Sequence, residues 1–310
     1  MICTGKSKGI IGLLKYFPIR IYEALGKTPV ICLEYAEEVR MGAGKPLMIF
    51  QNGICSYITS EGKITSNSSQ GIWTSKEELE ETLRLLCDGS VYTMEENIKN
   101  GYITLSGGHR VGICGSGVIR QGKLENLRDI SYLNIRISRE IIGASDEIID
   151  CILEGGIKNT LIISPPGGGK TTMLRDICRV VGGSDRYNYK VGVADERGEI
   201  GASYRGMPQN NIGVRTCIMD GVPKAKGMEM MLRCMGIDVM ITDEIGTEED
   251  KNAIAQLLRC GVKVIASAHG NSLEDIKSRE HTATLLGKGK FENIIILKEK
   301  KVEGLIRLDA

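Results

Sequence analysis

NTLIISPPGGGKTTMLRDICR, residues 159–179, is the stretch whose reading decides the fold. Thr160, Leu161, Ile162 and Ile163 make a short apolar run without polar alternation, the pattern of a strand buried on both faces. Two prolines and three glycines follow, and a helical pattern begins at Lys170. Gly167, Gly168 and Gly169 have no Cβ, so the chain can turn tightly and point successive N–H groups into one nest. The N-terminus of the next helix adds partial positive charge there. A strand, a glycine turn and a helix in this order predict a cradle for a polyphosphate.

The spacing matches the phosphate-loop pattern G-x-x-x-x-G-K-[ST], with Ser164 standing where the first glycine is usual. The expected nucleotide-binding set is therefore Ser164, Pro165, Pro166, Gly167, Gly168, Gly169, Lys170, Thr171 and Thr172. Lys170 is expected to reach the β- and γ-phosphates, and the Thr171 hydroxyl to ligate Mg²⁺. ATP and Mg²⁺ are the cofactors this predicts.

Acids recur downstream where such a site needs them. KVGVADERGE, residues 190–199, is a short strand running into Asp195, Glu196, Arg197 and Glu199. In an open α/β sheet the ligand lies beyond the carboxyl ends of the strands, which places these acids near phosphate and metal. In DVMITDEIGTEED, residues 238–250, Val239 to Ile241 form a buried strand that delivers Asp243 to the Mg²⁺ shell and Glu244 to the attacking water. A further apolar strand, Val262 to Ala266, ends in Ser267, Ala268 and His269, and His269 is expected to face the phosphates. The expected catalytic residues are Lys170, Glu196, Glu244 and His269.

The remainder sorts into two domains, 1–145 and 146–310, as a chain of 310 residues with 42% hydrophobic content allows. The first reads as α+β. A helix is expected over residues 11–26 with Gly26 as its cap, and strands around Val30 to Tyr35 and Pro46 to Ile58. A capping box, Ser75 with Glu78, opens a helix buried through Leu79, Leu83 and Leu86. A hairpin is expected over residues 102–119, turning at Gly107 and Gly108. In the second domain the Met-rich stretch 223–235 reads as a packing helix, Thr247 caps another that ends at Gly261, and Ser272 starts one followed by Arg279 and His281. Residues 291–308 read as closing strands.

Charge is balanced, 40 basic against 39 acidic residues, so nothing draws the whole chain toward nucleic acid. The alternative of a RecA-like ATPase on single-stranded nucleic acid is disfavoured by that balance and by 5% aromatic residues, because strand tracking uses basic grooves with stacking rings. A scaffold with little turnover is disfavoured by the Asp243 and Glu244 pair. Ten cysteines without any C-x-x-C, and only three histidines, predict free thiols rather than a metal cluster. The apolar run Gly9 to Leu14 is too short for a signal-peptide core, and a cytoplasmic protein is expected.

The segments GYITLSGGHRVGICG, ISYLNIRISRE, SPPGGGKTTMLRD, VADERGEI, VMITDEIG and ASAHGNS together resemble the stage III sporulation protein AA family of endospore-forming bacteria. More distantly the chain resembles the secretion ATPases of type II and type IV systems. The resemblance covers essentially the whole chain, with Glu280 and Asn293 standing where Pro and Arg are expected. It implies an α/β, RecA-like P-loop NTPase domain with a mostly parallel central sheet and helices on both faces. It further implies an ATP-hydrolysing motor of a secretion- or channel-like complex in endospore formation. That motor would be a hexameric ring peripheral to a membrane on the mother-cell side, coupled to an integral membrane component. By the same resemblance Asp195, Glu196 and Glu199 form an acidic box, His269 belongs to a histidine box, and Arg110, Arg136 and Arg139 are candidate arginine fingers.

Overall fold

A computed structural model describes residues 9–87, 101–278 and 290–308. Arg279, Glu280 and His281 lie outside the described residues. The chain divides into two compact units, Met1–Arg139 and Glu140–Ala310. The second begins at Glu140 because the chain from there is tied into it. The Glu140 carboxylate accepts the Asn211 N–H at 2.6 Å, and Asp176 accepts the N–H groups of Gly143 and Ser145 and the Ser145 hydroxyl. Burial alone would raise the Asp176 carboxyl; Arg179 and the Ser145 and Gly143 donors hold it below the ordinary range.

In the first unit the helices are α1 (Ile10–Leu13), α2 (Ile19–Lys27), α3 (Val30–Leu33) and α4 (Lys76–Leu86). The strands are β1 (Glu38–Gly42), β2 (Lys45–Pro46), β3 (Met48–Gln51), β4 (Ile54–Ile58), β5 (Ile64–Thr65), β6 (Trp73–Thr74), β7 (Tyr102–Thr104), β8 (Arg110–Arg120) and β9 (Lys123–Arg136). Seven of them form an antiparallel sheet in the order β5-β4-β3-β1-β9-β8-β7, while β2 and β6 pair separately. One core joins Ile21, Leu25, Leu79 and Leu86 from the helices to Val39, Met41, Val111 and Leu133 from the sheet. The Ser75 capping box is present, and the hairpin turns through Gly107 and Gly108.

Two expectations fail here, both at proline. The helix expected over 11–26 is broken: Pro18 serves as N-cap of a new helix that runs past Gly26 to Lys27. Residues 30–33 are helical rather than a strand, again with a proline, Pro29, at the N-cap. Proline with its fixed φ is pre-organised for a helix start, and Val30 and Ile31 are exposed, so no second apolar face holds them in a sheet.

The second unit carries the helices α5 (Ile149–Leu153), α6 (Lys170–Gly183), α7 (Lys224–Cys234), α8 (Glu248–Arg259) and α9 (Leu273–Lys277). Its strands are β10 (Thr160–Ser164), β11 (Val191–Asp195), β12 (Thr216–Asp220), β13 (Val239–Thr242), β14 (Lys263–His269), β15 (Asn293–Lys298) and β16 (Lys301–Arg307). They form one sheet, β12-β11-β13-β14-β10-β15-β16, parallel except where β16 runs antiparallel to β15. Strand β12 has no counterpart among the expected elements. Side chains alternate between two cores. Ile162, Val193, Val239 and Ile265 pack with Ile152, Leu174 and Ile177 on one face; Leu161, Met240 and Ala266 pack with Met228, Ile254 and Ile276 on the other. Burial on both faces is why these strands read as unbroken apolar runs. No helix among the described residues is long and apolar enough to cross a membrane.

Candidate nucleotide site

The loop 164–169 leaves the carboxyl end of β10, which is buried throughout, and ends at Gly169, the N-cap of α6 with φ 97°. That left-handed conformation is one a side chain rarely adopts, and the first N–H groups of α6, which have no partner within the helix, begin directly after it. Gly168 is needed for a different reason: a Cβ there would collide with the Ser164 hydroxyl, which itself donates to the Pro165 carbonyl at 3.1 Å. Ser164, the departure from the usual glycine, thus fills space that Gly168 leaves open.

Lys170 is buried, and its Nζ donates to the carbonyls of Ser164 at 2.9 Å and Pro165 at 3.1 Å. Burial lowers its pKa, while Glu244 and Asp243 act in the opposite direction. Thr171 and Thr172 follow, half-buried, in the first turn of α6. Strand β14 pairs with β10 so that His269 lies opposite Ser164, and it is exposed there.

Asp243 and Glu244 follow β13, which β14 separates from β10. The Glu244 carboxylate lies 3.8 Å from Lys170 Nζ, so the fold brings the two motifs together. Glu244 adopts φ 32°, a left-handed conformation costly for a residue with a Cβ, and its N–H donates to the Ser267 hydroxyl at 2.9 Å. Asp243 is buried with its Oδ1 lacking a hydrogen-bond partner. Burial pushes its carboxyl up to about 6; Lys224 opposes this, and the acids Asp195, Glu199 and Glu244 add to it. A buried carboxylate oxygen without a donor suits a cation. No group of three or more His, Cys, Asp or Glu among the described residues could hold a metal. Mg²⁺ does not require one, since it keeps several waters and takes one or two protein oxygens beside substrate phosphates. Asp243 offers one such oxygen, and Thr171 stands in the first turn of α6.

The acidic box divides by role. Both Asp195 oxygens accept backbone N–H groups, from Glu199 at 2.8 Å, Ile200 at 3.1 Å and Gly201 at 2.9 Å, so this fully buried carboxylate shapes the loop. Burial raises its pKa and those bonds oppose the rise. Glu196 accepts the Lys224 N–H at the start of α7, and the Glu199 carbonyl accepts from Arg175.

Lys224 is the residue that sequence reasoning missed. Its Nζ donates to the carbonyls of Asp243 at 3.0 Å and Glu244 at 2.7 Å and lies 3.8 Å from Asp243 Oδ1. A lysine at the first position of a helix opposes the helix dipole, so it is not placed there to stabilise α7. Within the Met-rich helix, that misplaced charge was the available signal.

The candidate arginines belong to the first unit. Arg110 and Arg136 face each other across β8 and β9. Arg110 stacks on Tyr102 at 4.9 Å, and Arg136 lies 3.8 Å from Glu38. Arg139 has a local task, donating to the carbonyls of Glu34 at 2.8 Å and Ala36 at 2.9 Å.

The family described as sporulation stage III, protein AA matches residues 8–308. The chain belongs to that family. Its Bacillus subtilis (strain 168) relative, stage III sporulation protein AA, is 36% identical over 296 residues, covering 95% of this chain and 92% of the relative. Among solved structures, the ATPase DotB of Legionella pneumophila aligns with a TM-score of 0.56 at 17% identity, over 87% of this chain and 76% of its own. The pilus retraction motor PilT, solved with bound ADP, aligns with a TM-score of 0.56 at 14% identity, over 86% and 76%. At these identities the likeness is one of fold: this chain shares its fold with DotB and PilT.

Proposed function

We propose that the chain is a Mg²⁺-dependent ATPase that works as a ring-forming motor in endospore formation, coupled to a membrane-embedded partner. The observation that carries this reading is the approach of Glu244 to Lys170 across the carboxyl ends of β13 and β10, beside a buried Asp243 oxygen without a donor. Phosphoryl transfer asks for positioning and charge stabilisation rather than covalent chemistry. The N–H nest and Lys170 hold the ATP phosphates, Thr171 and Asp243 hold Mg²⁺, and Glu244 orients water. Bound Mg²⁺ would neutralise charge on the β- and γ-phosphates.

Arg110 and Arg136 are proposed as the groups a neighbouring subunit supplies. The two are register partners on β8 and β9, so both cations belong to one place on the sheet. Arg139, tied to its own turn, is the weaker candidate. The Lys170→Ala variant tests the reading: nucleotide binding and phosphate release should both collapse while circular dichroism stays that of the parent. Turnover within about twofold of the parent would contradict it.

A further inference from the structure

Glu244 is held between two cations. One carboxylate oxygen lies 3.8 Å from Lys170 Nζ, and the other accepts from Arg197 Nη1 at 2.9 Å. A single carboxylate therefore spans the gap between the amine that binds phosphate and a guanidinium whose side chain is 62% exposed. Arg197 sits in the turn that follows β11, where the Asp195 carbonyl accepts the Gly198 N–H at 3.1 Å. The Asp195 carboxylate clamps the base of that turn through three backbone donors. Fixed backbone beneath a solvated guanidinium lets the side chain exchange partners without moving the loop.

The arrangement also has a chemical consequence. Arg197 Nη1 takes a lone pair of one Glu244 oxygen and Lys170 Nζ stands 3.8 Å from the other, so the carboxylate is drawn toward these two cations rather than toward an attacking water. Solvent-screened ion pairs such as Arg197 with Glu244 are worth little, so an anion of higher charge displaces the carboxylate readily.

We propose that Arg197 is a further catalytic residue, an assignment that rests on the ATPase reading above. The γ-phosphoryl group of ATP takes the place of the Glu244 carboxylate between Lys170 and Arg197. Arg197 then stabilises charge on the transferring group from within the same chain, and the released Glu244 orients the water. Water oxygen bonds to the γ-phosphorus, the bond from that phosphorus to the β–γ bridging oxygen breaks, and ADP leaves with the electron pair. The water proton passes to Glu244 and then to inorganic phosphate. The Glu244 carboxylate, between Lys170 and Arg197, marks the place of the phosphate it will act beside.

The test compares Arg197→Ala and Arg197→Lys with the parent, using fluorescent ADP, fluorescent ATPγS and phosphate release. Arg197→Ala should bind ADP as the parent does, lose about tenfold or more in affinity for ATPγS, and lose about 10³-fold in turnover; Arg197→Lys should recover part of both. Repeating the binding in a Glu244→Gln background removes the ion pair. If Arg197 meets phosphate, the Ala substitution still costs ATPγS affinity there. An unchanged ATPγS-to-ADP preference in both backgrounds would overturn the assignment, as would turnover within about threefold of the parent while Lys170→Ala is inactive. Mixing Arg197→Ala with Lys170→Ala should recover no activity, because both groups serve one site in one chain; recovery would refute supply within the chain. A parent protein that neither binds nor hydrolyses ATP would overturn the ATPase reading and this assignment with it.

Discussion

Asp243→Asn should stabilise the nucleotide-free protein while abolishing its response to Mg²⁺ and nucleotide. Burial moves the Asp243 carboxyl from 3.8 to about 6. Two units correspond to about 100-fold, or about 3 kcal/mol, by which ionising this group disfavours the folded second unit. The sign follows from proton uptake: the folded chain holds the proton more tightly than the unfolded chain, so stability falls as pH rises from about 4 to about 6 and stays lower above. Asparagine mimics the protonated acid. Lys224 keeps two carbonyl acceptors in the variant, so no cation is stranded. Hydrogen exchange is the assay, read by mass spectrometry on peptides from β13 and α6 whose amides open with the second unit. At pH 8 the variant's amides should exchange up to about 100-fold more slowly than the parent's, and the difference should vanish near pH 4. Equal or faster exchange at pH 8, or a gain that persists undiminished at pH 4, would refute the reasoning. Added Mg²⁺-nucleotide should slow exchange in the parent and leave the variant unchanged.

Two substitutions probe the rest of the site. Gly168→Ala should weaken nucleotide binding about tenfold or more through collision with the Ser164 hydroxyl, and Ser164→Gly in the same chain should restore most of it; failure of the second change to help, in a fluorescent-ADP titration, would locate the fault elsewhere. Lys224→Met removes the clasp on the Asp243 and Glu244 carbonyls, so single-turnover hydrolysis should slow by about 10- to 100-fold with ADP affinity retained. Unchanged hydrolysis would make Lys224 a packing residue only.

What the sequence made legible was local. The phosphate loop, the strands buried on both faces, the Thr247 cap and the Met-rich helix are each written in a few adjacent residues whose chemistry has one good solution. Residues 30–33 misled because their β-branched and apolar character speaks for a strand, whereas the preceding proline and the absence of a covering layer decide for a helix. Strand β12 was missed because its half-buried residues at the sheet edge lack the unbroken burial that marked β11 and β13. The contacts that define the site, Lys224 on Glu244 and Arg197 on Glu244, join segments far apart in the chain. Charge type alone cannot announce such pairings; only the order of strands in the sheet brings them together.

Whether this sporulation-family chain hydrolyses ATP with Glu244 orienting the water is tested most directly by phosphate release from the purified parent and its Glu244→Gln variant with Mg²⁺-ATP. Sustained hydrolysis by the parent is expected, with at least about 100-fold slower hydrolysis by the variant and ATP accumulating on the protein. No hydrolysis by the parent at any protein concentration tried, or equal rates for the two proteins, would contradict it.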